Sequence, residues 1–231
     1  MVNQSEVMEN KQSVSLSTNN PISLVSALFS PVKFFSQLKV QRKLGVNIFI
    51  ILVLYGIITY LLSQHLLTNN EIGSMLPKEL QNGKSQMIMV IGTTLVGIFQ
   101  FLFTVLISTL IYKIILSFAQ VRVTFKGLFH IVMVAQIPLI IGKAINLLFI
   151  NENTMEMPIT SLGFTIQSLT DSVFILNFFS SLEIFSIWSY FIIALGASVC
   201  IGFSKKKSMI LVFSTWLVFL TISSMLLSFL N

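Results

Sequence analysis

Apolar residues gather into five long stretches, roughly Gly45–Leu62, Met87–Tyr112, Gly127–Ile150, Ile184–Phe203 and Met209–Leu230, separated by polar connections. An α-helix rises about 1.5 Å per residue and the bilayer hydrocarbon is about 30 Å thick, so about 20 mostly apolar residues cross it. The pattern therefore predicts five membrane-spanning helices. The second run continues past Tyr112 to about Phe118, so this helix projects from the bilayer or tilts within it.

Two segments outside the spans alternate with helical period. Before the first span, Leu24, Leu28, Pro31, Phe35 and Leu38 recur at spacings of four, three, four and three, with Ser23, Ser26, Ser30 and Gln37 on the other side. Pro31 cannot donate a backbone hydrogen bond, which predicts a break near Ser30 and a second helical piece running toward Leu44. Lys33, Lys39, Arg42 and Lys43 surround that piece. Two readings fit: an interfacial helix with Phe34 and Phe35 dipping into the acyl boundary and its cations on phosphates, or a helix docked on the end of the bundle. In the segment Glu152–Glu183, Leu162, Ile166, Leu169, Val173 and Leu176 show the same spacing, which predicts an amphipathic surface helix, interfacial or forming a lid. Its apolar core, Val173–Leu176, is too short to cross. Residues 1–20, rich in Ser, Asn, Gln and Val without period, read as a disordered tail. Thr68–Ser85, with Asn69-Asn70, Gly73, Pro77 and Asn82-Gly83, reads as a loop.

Charge adds orientation. Lys plus Arg number five before the first stretch, then two, three, none and three in the successive gaps, and none after the last. That places eleven on one side and two on the other, and the bias of short cytoplasmic loops toward basic residues predicts the amino terminus inside and the carboxyl terminus outside. Six of the eight carboxylates, Glu71, Glu79, Glu152, Glu156, Asp171 and Glu183, fall on the opposite side, with only Glu6 and Glu9 inside. With 55% hydrophobic and 10% charged residues and a mean hydropathy of +0.89, a soluble globule is excluded. The net charge of +6 belongs to loops beside spans, where anionic headgroups attract Lys and Arg by about 1 kcal/mol each, so membrane lipid rather than nucleic acid is the implied partner. No cleavable signal peptide is apparent ahead of the first span. The expected architecture is all-α: residues 1–20 a tail, 21–44 an amphipathic helix on the cytoplasmic side, and 45–231 a polytopic five-helix domain.

Polar residues inside the spans are the candidate sites, because a charge at mid-depth costs at least a few kcal/mol. Lys143 lies about 10 Å below the outer edge of the third span by helix rise. There it can snorkel, pair with Glu152, Asp171 or Glu183, or serve a substrate or proton. Gln100 and Gln136 both fall near mid-depth, which predicts a hydrogen bond joining the second and third helices, with Pro138 kinking the third. Gly92, Gly97, Ala194, Gly196, Ala197 and Gly202 permit close helix approach. The two histidines, His65 and His130, have no partner at ligand spacing, the one cysteine, Cys200, cannot form an internal disulfide, and no phosphate loop or nucleophile motif occurs. The residues therefore imply no catalytic site, metal or cofactor.

Ahead of the first span stands Ala27-Leu28-Phe29-Ser30-Pro31-Val32-Lys33-Phe34-Phe35-Ser36-Gln37-Leu38. The third span carries Gln136-Ile137-Pro138, and Ile187-Trp188 opens the fourth. A tight basic hairpin follows, Gly202-Phe203-Ser204-Lys205-Lys206-Lys207-Ser208, and then an apolar helix containing Trp216. In that order and spacing these segments resemble the bacterial Yip-domain family of five-span membrane proteins. Length and segment order are most similar to its YknW-type members, which are associated with a MacAB-like ABC exporter. The resemblance implies a non-enzymatic accessory or assembly subunit of an efflux complex in the cell membrane, with exporter subunits as partners and protection from an antimicrobial peptide as a role. The chain lacks the Asp-Leu-Tyr-Gly-Pro type signature of eukaryotic members, so GTPase binding is not implied. Lys33, Phe34, Phe35, Lys39, Arg42, Lys43, Lys205, Lys206 and Lys207 are the candidate contacts to lipid or partners. Two alternatives stand beside this reading: a small transporter or channel-like bundle with Gln100, Gln136 and Lys143 as its polar path, and a scaffold that shapes the membrane through its amphipathic helices. The absence of a recognisable internal repeat weighs against a transporter.

Overall fold

A computed structural model of the chain describes residues 24–38, 44–68, 77, 81–118, 123–150 and 157–230. It contains ten helices among these residues: α1 Leu24–Phe29, α2 Pro31–Leu38, α3 Leu44–Thr68, α4 Gly83–Phe118, α5 Phe125–Val134, α6 Gln136–Leu148, α7 Leu162–Ile166, α8 Val173–Ser180, α9 Ile184–Ile201 and α10 Lys205–Leu230. Five units are long and apolar enough to cross a membrane: α3, α4, α5 with α6, α9 and α10. Helices are what this composition must form, since hydrocarbon offers no partner for an unpaired backbone amide. At 36 residues, α4 is about 54 Å long by helix rise, well beyond the hydrocarbon thickness, as its unbroken apolar run predicts.

The third and fourth spans form the centre. In their most apolar stretches 50% and 44% of the residues are buried, against 17% in each of the other three. Around this pair, α3 packs on α4, α5 and α6, while α9 packs on α2, α5, α6 and α10. One residue permits the tightest of these contacts. A Cβ at Gly196 of α9 would lie 2.7 Å from Ile131 Cγ2 of α5 and 2.9 Å from the Phe35 ring of α2, closer than real atoms approach. Gly97 of α4 similarly faces Thr59 of α3, where a Cβ would lie 2.8 Å from the methyl. Gly97 and Gly196 thus set helix separation as their positions predict, whereas a Cβ at Gly92 or Gly202 would meet nothing within 4 Å.

The amino-terminal segment bends where Pro31 predicts. Ser30 N–H donates to Ser26 O at 2.9 Å and Phe34 N–H to Ser30 O at 3.0 Å, so α1 and α2 form one helix kinked at the proline. Phe29 meets Trp188 edge-on at 6.2 Å and Phe35 reaches Gly196, so the kinked helix runs beside α9 in the same direction. Phe34 and Phe35 are both 0% exposed. The structure differs from both readings of this segment: the phenylalanines enter the space over Gly196 and do not face an acyl boundary, and the helix lies along α9 between Trp188 and Gly196 and not on an end of the bundle. Residues 1–20, and the expected continuation of the helix through Lys39, Arg42 and Lys43 toward Leu44, lie outside the described residues, as does Glu152.

The connection between the last two spans is shorter than the expected basic hairpin. Gly202 ends α9 in the left-handed region at φ 81°, and Ser204 Oγ accepts from Lys207 N–H at 3.3 Å. Lys205, Lys206 and Lys207 therefore form the first turn of α10. Cations there oppose the helix dipole by about 0.3–1 kcal/mol each at a surface, a cost offset where anionic headgroups attract them.

The segment before the fourth span is not one amphipathic helix. Ser161 Oγ accepts from Phe164 N–H at 3.3 Å to start α7, and Ser172 Oγ accepts from Ile175 N–H at 3.5 Å to start α8. A second capping residue inside the periodic run restarts the chain, which turns so that α8 packs on α10. A polar cluster anchors this end. Glu183 Oε1 accepts from Thr160 Oγ1 at 2.6 Å and Asn146 Nδ2 at 3.3 Å, and Oε2 from Ser186 Oγ at 3.5 Å, tying α6, the residues before α7 and the start of α9 together.

Three outcomes follow from this packing. Gly196→Val should lower the melting midpoint in detergent strongly, overpacking of this kind costing about 1–3 kcal/mol, whereas Gly92→Val, where a Cβ meets nothing within 4 Å, should leave it nearly unchanged. Glu183→Ala removes the carboxylate that Thr160, Asn146 and Ser186 share and should also lower the midpoint, hydrogen bonds to a charged group being worth about 1.5–3 kcal/mol, although Thr160 and Asn146 keep their bonds to each other at 3.2 and 3.3 Å. His130 is 1% exposed and neither ring nitrogen has a hydrogen-bond partner among the described residues, so His130→Leu should maintain or raise the midpoint.

Candidate functional site within the bundle

The third span changes neighbours halfway. A turn at Ala135 separates α5 from α6, and Pro138 in the first turn of α6 lacks the amide that would continue the ladder. Below the break α5 packs on α3, α4 and α9, whereas α6 packs on α3 and α9 and leaves α4. Space opens where α6 and α4 part. It is a cavity of about 250 Å³ lined by Tyr55 of α3, Gln100, Phe101 and Thr104 of α4, and Gln136, Leu139, Ile140 and Lys143 of α6.

All three intramembrane candidates, Gln100, Gln136 and Lys143, line this one cavity. The expected Gln100–Gln136 hydrogen bond is not formed. Gln136 Nε2 instead donates to Val132 O of its own span at 3.2 Å, because the parted helices hold the two amides on opposite walls of the space. Lys143 pairs with none of the expected carboxylates among the described residues. Its Nζ donates to Tyr55 Oη at 3.1 Å and lies 4.7 Å from the centre of that ring, a cation–π contact. Tyr55 is held in turn by stacking on Phe101 at 4.1 Å. Glu183, one of the expected partners, is committed to Thr160, Asn146 and Ser186.

A second cavity, about 240 Å³, adjoins the first, and Thr104, Gln136 and Leu139 line both. Its walls are α4 and α10, which scarcely touch, and its floor is Val132, Ser189 and Ile193 of the central helices. Tyr190 stacks on Trp216 at 4.8 Å beside it. Thr104, Ser108, Ser189 and Thr215 give it hydroxyls, Tyr112 and Tyr190 phenols and Gln136 an amide, within a mostly apolar wall.

Sequence reasoning does not find Tyr55, Thr104, Tyr190 or Trp216 as site residues. Tyr55 had a signal, a phenol within an apolar helix that needs a partner; the rest become a site only through the divergence of α4 from α6. The surface candidates are dispersed. Lys33 is exposed on α2, and Lys205–Lys207 are exposed at the other basic connection. Among the described residues no three His, Cys, Asp or Glu side chains gather at metal-binding distance.

Comparison with known families places this arrangement. No curated protein and no solved structure matches the chain. The Yip1 domain model matches residues 25–226, from α1 to near the end of α10, and the chain, a multi-pass membrane protein, belongs to the Yip1 domain family.

Proposed function

We propose that this protein is a non-enzymatic accessory or assembly subunit of a membrane complex in the cell membrane. By its resemblance to the bacterial members associated with ABC exporters, the complex is an ABC-type efflux system that protects against an antimicrobial peptide. The observation that carries the reading is the Yip1 domain match across residues 25–226, which makes the bundle itself the functional unit. Two features of the bundle support it. The outer faces of α4 and α10 carry large apolar side chains, among them Val96, Phe99 and Phe103, and Leu226 and Phe229, that can meet partner helices as readily as lipid. Gly92 lies exposed on α4 with open space beside it, a position at which a partner helix could approach closely.

In this reading the amino terminus is cytoplasmic, so Lys113, Lys126 and Lys205–Lys207 face the compartment where the ATPase subunits act. Purification of the tagged protein from its native membrane in a mild detergent should recover an ABC ATPase and a membrane-fusion-type subunit in constant ratio. Gly92→Leu, which blocks the open face without disturbing a neighbour, should reduce that recovery several-fold while leaving abundance unchanged. Recovery of the chain alone, at native expression level and in several mild detergents, overturns the proposal.

A further inference from the structure

We propose that the joined cavities between α4, α6 and α10 bind one anionic phospholipid, its phosphate on Lys143 and one acyl chain lying along the groove toward Trp216. Lys143 places a cation in the wall of a membrane-spanning helix, five residues before the end of α6, with Tyr55 Oη as its hydrogen-bond partner and no carboxylate in ion-pair contact among the described residues. A cation at this depth is costly unless an anion neutralises it. The cavity around it carries further polar groups for such a head, the Gln100 and Gln136 amides and the Tyr55 phenol.

The shape then selects a lipid over a small anion. Beyond Gln136 the space continues as a furrow with Leu139, Ile193, Trp216 and Phe219 on its sides. From Gln100 to Tyr112, residues at the two ends of the joined space, the helix rises about 18 Å, so the space is elongated along α4 and not confined to the surroundings of Lys143. Gln100 and Thr104 are exposed at the rim, so the groove opens sideways through α4, the direction from which a lipid enters. A free phosphate would satisfy Lys143 and leave the long, mostly apolar furrow unused. A zwitterionic lipid would fill the furrow and bring a second cation toward Lys143.

Trp216 provides the readout, since it lines the groove yet is only 8% exposed and so is shielded from bulk lipid. In the Trp188→Phe background it is the one remaining tryptophan. The protein is reconstituted in phosphatidylcholine containing a minor fraction of phosphatidylglycerol, with bromine on the acyl chains of one lipid or the other. Brominated phosphatidylglycerol should quench Trp216 with an apparent preference of about tenfold over brominated phosphatidylcholine, equivalent to 1.4 kcal/mol. Lys143→Met should abolish the preference and Lys143→Arg should keep it. Thr104→Phe, at the exposed rim, should reduce quenching by both lipids with Lys143 intact, and it remains decisive if Lys143→Met does not fold. Quenching that follows mole fraction in the wild type, a preference that survives Lys143→Met, or quenching unaffected by Thr104→Phe overturns the proposal. Displacement of the brominated lipid by soluble glycerol phosphate would assign the site to a free phosphate and overturn it as well.

Discussion

The passage of α9 against α5 and α2 at Gly196 is the contact on which the rest of the bundle depends. With no side chain there, Ile131 of α5 and the ring of Phe35 of α2 both reach the α9 backbone at the same point. Hydrocarbon supplies no hydrophobic drive between spans, so close packing carries much of the association, and it is strongest where a missing Cβ lets two neighbours in together. The burial pattern reflects this. The third and fourth spans become the core, and α3, α4 and α10 are arranged around them with most of their surface outward.

Hydroxyl groups in the outer spans largely satisfy themselves. Thr93, Thr94, Thr104 and Thr109 of α4, and Thr215, Thr221 and Ser228 of α10, donate to carbonyls three or four residues earlier on their own helices. Such residues cross the membrane without specifying a neighbour. Lys143 differs because its stem carries the charge away from its own helix, and Tyr55 on α3 is the group it finds. The polar site is therefore a consequence of side-chain reach combined with the parting of α4 from α6 at the Ala135–Pro138 break.

Much of this was legible in the chain. The five spans, the overlong second helix, the bend at Pro31 and the small-residue contacts follow from apolar run length, proline chemistry and residue size, all local properties. The period of four and three in the segment before the fourth span was legible too and misleading, because period reports which face is apolar and not whether the backbone continues. Ser172 supplied a new helix start within it. For the amino-terminal helix, the same amphipathic pattern suits a membrane surface and a protein groove equally, and only the gap over Gly196 distinguishes them.

The sequence by itself determined that this is a multi-pass helical membrane protein and roughly where its five spans begin and end, since hydrocarbon thickness and backbone pairing leave a long apolar run no other structure. It also named Gln100, Gln136 and Lys143, because polar atoms are conspicuous in such runs. Tertiary structure alone decided that these three share one cavity without bonding to each other, that Tyr55 receives the lysine, and that the furrow extends to Trp216. Those outcomes depend on which helices part company and by how much. That is a property of packing between segments distant in sequence, and no local pattern records it.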